Sequence, residues 1–92
     1  MTQQIRVEKP APEQLQKLGV EQWPVWTKEK SRFDWHYDEP EVCYLLAGRV
    51  RVTPTDGGAP VEFGTGDLVT FPQGLSCTWE VIEPVRKHYR FG

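Results

Sequence analysis

From Glu41 to Gly48 the chain reads Glu-Val-Cys-Tyr-Leu-Leu-Ala-Gly, which predicts a strand with Glu41, Cys43, Leu45 and Ala47 on one face and Val42, Tyr44 and Leu46 on the other. Both faces are largely apolar, a pattern that predicts burial on both sides. A carboxylate at the entry of such a strand stands either in water or among partners that hold it inside, and Glu41 is therefore the acid that the pattern singles out. Gly48 marks a tight turn or bulge before Arg49-Val50-Arg51-Val52-Thr53 resumes alternation.

The remaining chain shows the same short periods. Ile5 to Glu8 predicts an edge strand, ended by Pro10 and Pro12, which lack an amide donor. Glu13 to Leu18 predicts one or two helical turns with Pro12 at the first position, Leu15 and Leu18 against a sheet, and Gly19 as the left-handed cap. Pro24 makes Trp23 to Trp26 an irregular or edge segment, whose tryptophans either cover a barrel end or enter a dimer contact. Phe33, Trp35 and Tyr37 alternate with Asp34, His36 and Asp38, so burial of the aromatics turns His36 outward; the opposite parity puts Asp34 and His36 inside at the cost of exposing Trp35.

Asp56-Gly57 predicts a hairpin turn between Val50–Thr53 and Val61–Phe63. Asp67 reads as a cap on a nearby backbone amide, and Leu68 to Phe71 as a buried strand ending at the Pro72-Gln73-Gly74 corner. Cys77, Trp79 and Val81 then share an inner face. In the last segment Val85, Lys87, Tyr89 and Phe91 share a side, where Lys87 either snorkels at a strand end or neutralises Glu41 or Glu80. Short strands between turn signals with one minor helix predict an all-β jelly roll or a related sandwich.

Composition narrows the function classes. Ninety-two residues allow one domain, which buries about 60 to 65% of the surface of its unfolded chain, and four Trp, four Phe and three Tyr supply the bulk its core needs. Eleven basic and thirteen acidic residues, net −2, argue against a nucleic-acid or anionic-membrane surface. No apolar run is long enough to span a bilayer, and Met1 to Glu8 lacks the apolar core of a signal peptide, so a cytoplasmic location is expected. Cys43 and Cys77 do not form a Cys-x-x-Cys pair and are expected as reduced, buried thiols.

Six residues separate Glu41 from Gly48, while Gly66 is followed by five residues, Pro72-x-Gly74, two residues and Cys77. In these spacings the chain resembles the cupin superfamily, and the phrases FDWHYDEPEVCYLLAG and GDLVTFPQGLSCTWEVIEPVRKHY resemble its small single-domain members of the ethanolamine-utilisation and ureidoglycine-aminohydrolase-like branch. The resemblance implies a small cupin jelly-roll barrel with one short N-terminal helix: one domain over 1–92, with a strand and short helix in 1–20 and the barrel over about 23–92. It also locates the family's metal-ligand positions. The second motif's histidine falls on Cys77; the first motif's pair falls on Trp35 and Tyr37 or, with one more residue before Glu41, on Asp34 and His36.

Two functional expectations arise, with a structural one beside them. A barrel interior lined by Trp35, Tyr37, Glu41, Cys77, Trp79 and Lys87 suits a small-molecule ligand and needs no cofactor. The alternative is a divalent-metal enzyme holding Zn, Fe or Ni through His36, Glu41 and Cys77, with Asp34 nearby, and hydrolysing a small nitrogenous metabolite as the resemblance implies. A filled barrel serving as a structural or interaction module is the third. Exposed strand edges in so short a chain invite a symmetric partner, a homodimer. With no metal bound, Glu41→Gln is expected to leave stability unchanged or improved.

Overall fold

The computed structural model describes residues 4–92. Met1, Thr2 and Gln3, part of the 1–20 segment read from the sequence, lie outside the described residues. Seven strands succeed one another as β1 (Arg6–Glu8), β2 (Val25–Lys28), β3 (Ser31–His36), β4 (Glu41–Pro54), β5 (Val61–Gly64), β6 (Leu68–Phe71) and β7 (Ser76–Phe91), with one helix, α1 (Pro12–Leu18), after β1. A 3-10 turn, Val20–Gln22, leads from α1 towards β2. This is the all-β jelly roll with a short helix that the pattern predicts.

Two long antiparallel strands organise it. β4 pairs with β7 from Glu41 opposite Phe91 to Pro54 opposite Cys77, and each strand serves two half-sheets. The first half of β4 also pairs with β6, which carries β1 on its other edge, while the second half pairs with β5. In the same way the first part of β7 pairs with β3 and the later part with β2. The sheet therefore changes direction where β4 and β7 bend together.

Of the two sequence readings of Gly48, turn or bulge, the structure shows the bulge, but Gly48 does not separate two strands. β4 runs through it without a break, and the pairing with β7 shifts register between Leu45 and Ala47, Ala47 and Arg49, and Arg49 and Val50. Gly48 has φ +102°, and a Cβ there would overlap the Pro84 carbonyl oxygen and stand 2.7 Å from Val85 Cα. Pro84, with no amide to donate, sits at the irregularity, where a ladder tolerates it. Strand parity changes accordingly. Cys43 and Leu45 are buried, but Ala47 is exposed, as is Leu46, so the expectation of burial on both faces of this run fails. One face packs inward, and the other covers the outside of a thin barrel.

The core comprises Tyr37, Cys43, Leu45, Val50, Val52, Phe63, Val69, Phe71, Leu75, Cys77, Trp79, Val81 and Val85. Leu68 is buried beside them, as the alternation requires. Helix α1 begins with Pro12 and ends on Gly19 in the left-handed conformation, whose amide donates to the Leu15 and Gln16 carbonyls. Its leucines do not anchor it as expected. No residue of α1 is buried and Leu18 is 37% exposed; the anchor is Val20, one residue past the cap, where the 3-10 turn directs an apolar side chain inward.

Turn chemistry matches the sequence closely. Asp56 Oδ1 accepts the Gly58 amide at 3.0 Å in the β4–β5 hairpin. Asp67 caps the Gly64 amide at 2.8 Å and also accepts the Lys9 ammonium at 2.9 Å. The Pro72–Gly74 corner is tied to the loop after β3: the Gly74 amide donates to the Tyr37 carbonyl at 2.7 Å and the Tyr37 amide to the Leu75 carbonyl at 2.8 Å. Among the described residues no helix is long and apolar enough to cross a membrane.

Gly48→Ala is expected to destabilise the fold by about 3 kcal/mol or more, because a positive φ and a backbone overlap act together. Gly74→Val, at φ +86°, is expected to cost about 1–3 kcal/mol. Urea denaturation of both variants checks the order, and wild-type stability for Gly74→Val would show that the corner does not require glycine.

Candidate functional site

Period-two alternation on β3, β4 and β7 directs side chains from all three into one cavity of about 220 Å³. Its walls are Trp26, Phe33, Trp35, Tyr37, Trp79, Tyr89 and Phe91, and its charged groups are Glu41 and Lys87. Tyr37, Glu41, Trp79 and Lys87 are buried and form the floor, whereas Trp35, 47% exposed, and the exposed Phe91 stand at the rim.

At the floor the Lys87 ammonium donates to Glu41 Oε2 at 2.6 Å. Both residues are buried, Glu41 3% and Lys87 5% exposed. The same ammonium lies 4.7 Å from the Trp79 ring centre and 5.0 Å from that of Trp26. One carboxylate and two indole faces thus replace the water that an ammonium loses on burial. Of the two expectations for Lys87, neutralising Glu41 is the one realised. Snorkelling fails because β7 continues past Lys87 to Phe91, so the side chain does not stand at a strand end.

The aromatic walls hold one another. Tyr37 stacks on Phe71 with ring centres 4.7 Å apart, and Phe33 stacks on Trp79 at 6.0 Å. The Trp79 indole donates to the Tyr37 hydroxyl at 3.1 Å, satisfying both polar tips inside an apolar wall. Burial first, and then the Glu41 charge, pushes the Tyr37 phenol far above its ordinary range.

The cysteines are structural neighbours of the cavity. Cys43 is fully buried and its thiol is pushed up to about 12, mainly by burial, with the Lys87 charge opposing. Cys77, expected in the lining, is buried in the wall with Sγ 3.7 Å from the Trp35 carbonyl, and does not line the cavity. Burial, then Asp34 and Glu41, pushes its thiol up to about 11. Both thiols are unpaired.

The alternative metal set is not assembled. His36 is exposed, its Nδ1 sharing a 2.7 Å hydrogen bond with Ser76 Oγ and its Nε2 3.6 Å from Asp38. Asp34 is exposed and accepts the Thr78 hydroxyl at 3.0 Å. Glu41 faces an ammonium, and Cys77 Sγ is turned towards the Trp35 carbonyl. These donors do not fit a divalent ion, and among the described residues no three His, Cys, Asp or Glu side chains gather into a metal-binding group. The aromatic-in parity of β3 is what turns His36 outward.

Sequence reasoning missed Trp26, Phe33, Tyr89 and Phe91 as cavity residues. Phe33 shares the parity of Trp35 and Tyr37, and Tyr89 and Phe91 share that of Lys87, so three of the four carried a usable signal. Trp26 was expected only over a barrel end or in a dimer contact; its place in this cavity comes from pairing with Lys87 across β2 and β7.

A barrel of this topology, with a glutamate at the start of one of its two long inner strands and a Pro-x-Gly corner beside it, defines a small cupin. The chain belongs to the family of EutQ-like cupin domains, whose model matches residues 15–89. It is similar to a DUF861 family protein from Thermotoga maritima, 55% identical, with a TM-score of 0.94 over 97% of this chain and 100% of that one. EutQ from Clostridium difficile is 22% identical, TM-score 0.65, over 73% of this chain and 52% of its own. An ethanolamine utilization protein from Salmonella typhimurium gives the same identity and score over 73% and 53%. The chain thus spans about half the length of these last two, which share its fold. Comparison with curated proteins found no match.

Glu41→Gln is expected to destabilise the protein by about 3–5 kcal/mol, since it leaves Lys87 buried without its counter-charge. This reverses the expectation for a metal-free site, because the carboxylate is paired with Lys87 rather than alone. Glu41→Gln combined with Lys87→Met is expected to recover most of the loss, and a double-mutant cycle by chemical denaturation measures the coupling.

A second expectation concerns alkaline pH. The folded state holds the Cys43 and Cys77 thiols protonated where an unfolded chain releases them, so their contribution is full below about pH 9 and is lost as pH rises towards the folded values of about 11 and 12. Melting temperatures measured from pH 8 to 11 are expected to fall less steeply in a Cys43→Ala/Cys77→Ala variant.

Proposed function

We propose that this protein binds a small metabolite inside the barrel without recruiting a metal ion. The observation that carries the reading is an aromatic cavity of about 220 Å³ whose only charged lining groups, among the described residues, are paired with each other. A ligand entering past Trp35 and Phe91 has ring faces for its apolar body and one polar anchor at the floor. The cavity is below the roughly 300–1,000 Å³ of drug-sized sites, which favours a compact molecule. The Lys87–Glu41 pair offers an acceptor and donors on adjacent atoms, so it suits a neutral polar group better than a second full charge. The two unpaired thiols suit a reducing compartment such as the cytoplasm.

Trp26, Trp35 and Trp79 all line the cavity, so intrinsic fluorescence reports its occupancy. Titration with small aromatic and aliphatic alcohols, amines and carboxylates is expected to give a saturable change with at least one class. Trp35→Ala removes a rim surface without opening the core, and is expected to weaken that binding about three- to tenfold with little change in melting temperature. A flat response to every class would remove the reading.

A further inference from the structure

We infer that Lys87 is a nucleophile towards small aldehydes and ketones, forming an iminium in the aromatic cavity with Glu41 as the proton-transfer partner. This deepens the binding reading and rests on it. The observations are geometric. Lys87 faces a cavity that reaches the surface, is buried among Trp26, Trp79 and Glu41, and stands 2.6 Å from a carboxylate able to take its proton. Surface lysines lack that combination: Lys9, the one that also meets a carboxylate, has a side chain 86% exposed. A lysine that faces an apolar cavity with a carboxylate within proton-transfer distance has the geometry for amine attack on a carbonyl carbon, the carboxylate serving as base.

The proton and electron balance closes without another reactant. Glu41 takes a proton from the Lys87 ammonium, and the freed lone pair attacks the carbonyl carbon, forming the C–N bond as the carbonyl π pair moves to oxygen. That oxygen takes the proton from Glu41. The carboxylate then takes a second proton from nitrogen and delivers it to the hydroxyl, which leaves as water while the nitrogen lone pair forms the C=N bond. Lysine ammonium and carbonyl become iminium and water, with nothing oxidised or reduced. The product keeps one positive charge at the nitrogen, so the ion pair with Glu41 and the contacts with both indole faces persist. Cys43 and Cys77, pushed up to about 12 and about 11, remain thiols at neutral pH and do not compete.

The test treats the folded protein at neutral pH with benzaldehyde and cyanoborohydride, then locates benzylated lysines by peptide mass mapping. Lys9, Lys17, Lys28 and Lys30 serve as internal references. Lys87 is expected to be modified about tenfold faster than any of them, despite its burial. Glu41→Gln is expected to slow the reaction about a hundredfold, with partial rescue by Glu41→Asp, which keeps a carboxylate. Benzyl alcohol, the same ring without the electrophilic carbon, is titrated in parallel by tryptophan fluorescence. If benzyl alcohol binds saturably while labelling is confined to the exposed lysines, the nucleophile is overturned and binding stands. If neither fluorescence nor Lys87 responds, the nucleophile is overturned, and the binding reading falls as well once every other ligand class also gives a flat response. An unchanged labelling rate at Lys87 in Glu41→Gln would remove the role given to the carboxylate.

Discussion

The shared bend of β4 and β7 is the constraint on which the rest of the molecule depends. Gly48 lies against the Pro84 backbone at a distance that no side chain allows, and Pro84 requires no hydrogen-bonding partner for an amide it lacks. Both strands can therefore turn at the same level without leaving a buried donor unpaired. Beyond the bend β4 exchanges β6 for β5, and β7 exchanges β3 for β2, so two strands supply the interior of a barrel from both sides. The aromatic cluster from Phe63 through Phe71 and Trp79 to Phe33 packs within the space so enclosed and walls the cavity on one side.

That packing creates the conditions for the buried ion pair. Glu41 and Lys87 enter from adjacent strands, and the indoles of Trp26 and Trp79 close over the ammonium. A lone charge at this depth would be costly; paired, hydrogen-bonded and faced by aromatic rings, each compensates the other. No buried side-chain nitrogen or oxygen is left without a partner among the described residues, so the polar floor is complete. The pair fixes the polarity of one end of the cavity, while Trp35 and Phe91 leave the other end apolar and open.

The pattern of the chain made much of this legible. Alternation on β3 and β7 identified Tyr37, Trp79 and Val81 as inward, the aromatics of β3 implied that His36 points out, and the turn residues located the hairpin at Asp56-Gly57 and the corner at Pro72–Gly74. Each of these depends on a single local property: the period of a strand, or a backbone angle that glycine alone tolerates. Where locality failed, so did the reading. The burial of Ala47 was misjudged because a register shift reverses strand parity, and that of Leu46 because its face lies on the outside of the barrel. The packing of Leu18 was misjudged because the short helix is held by Val20, beyond its cap, rather than by its own leucines.

Strand period and turn residues were enough for an all-β barrel, and motif spacing gave the resemblance to cupins, Glu41 as a lining candidate and the departure of the motif positions from a histidine set. They left open what Glu41 meets, and tertiary pairing made that choice. Lys87 is 46 residues away along the chain, and parity alone allowed it to reach solvent, Glu41 or Glu80. The register between β4 and β7 and the continuation of β7 past Lys87 together place its ammonium beside one carboxylate and under two rings. Strand period is a property of neighbouring residues, whereas the partner of a buried charge depends on which distant strands pair and in what register.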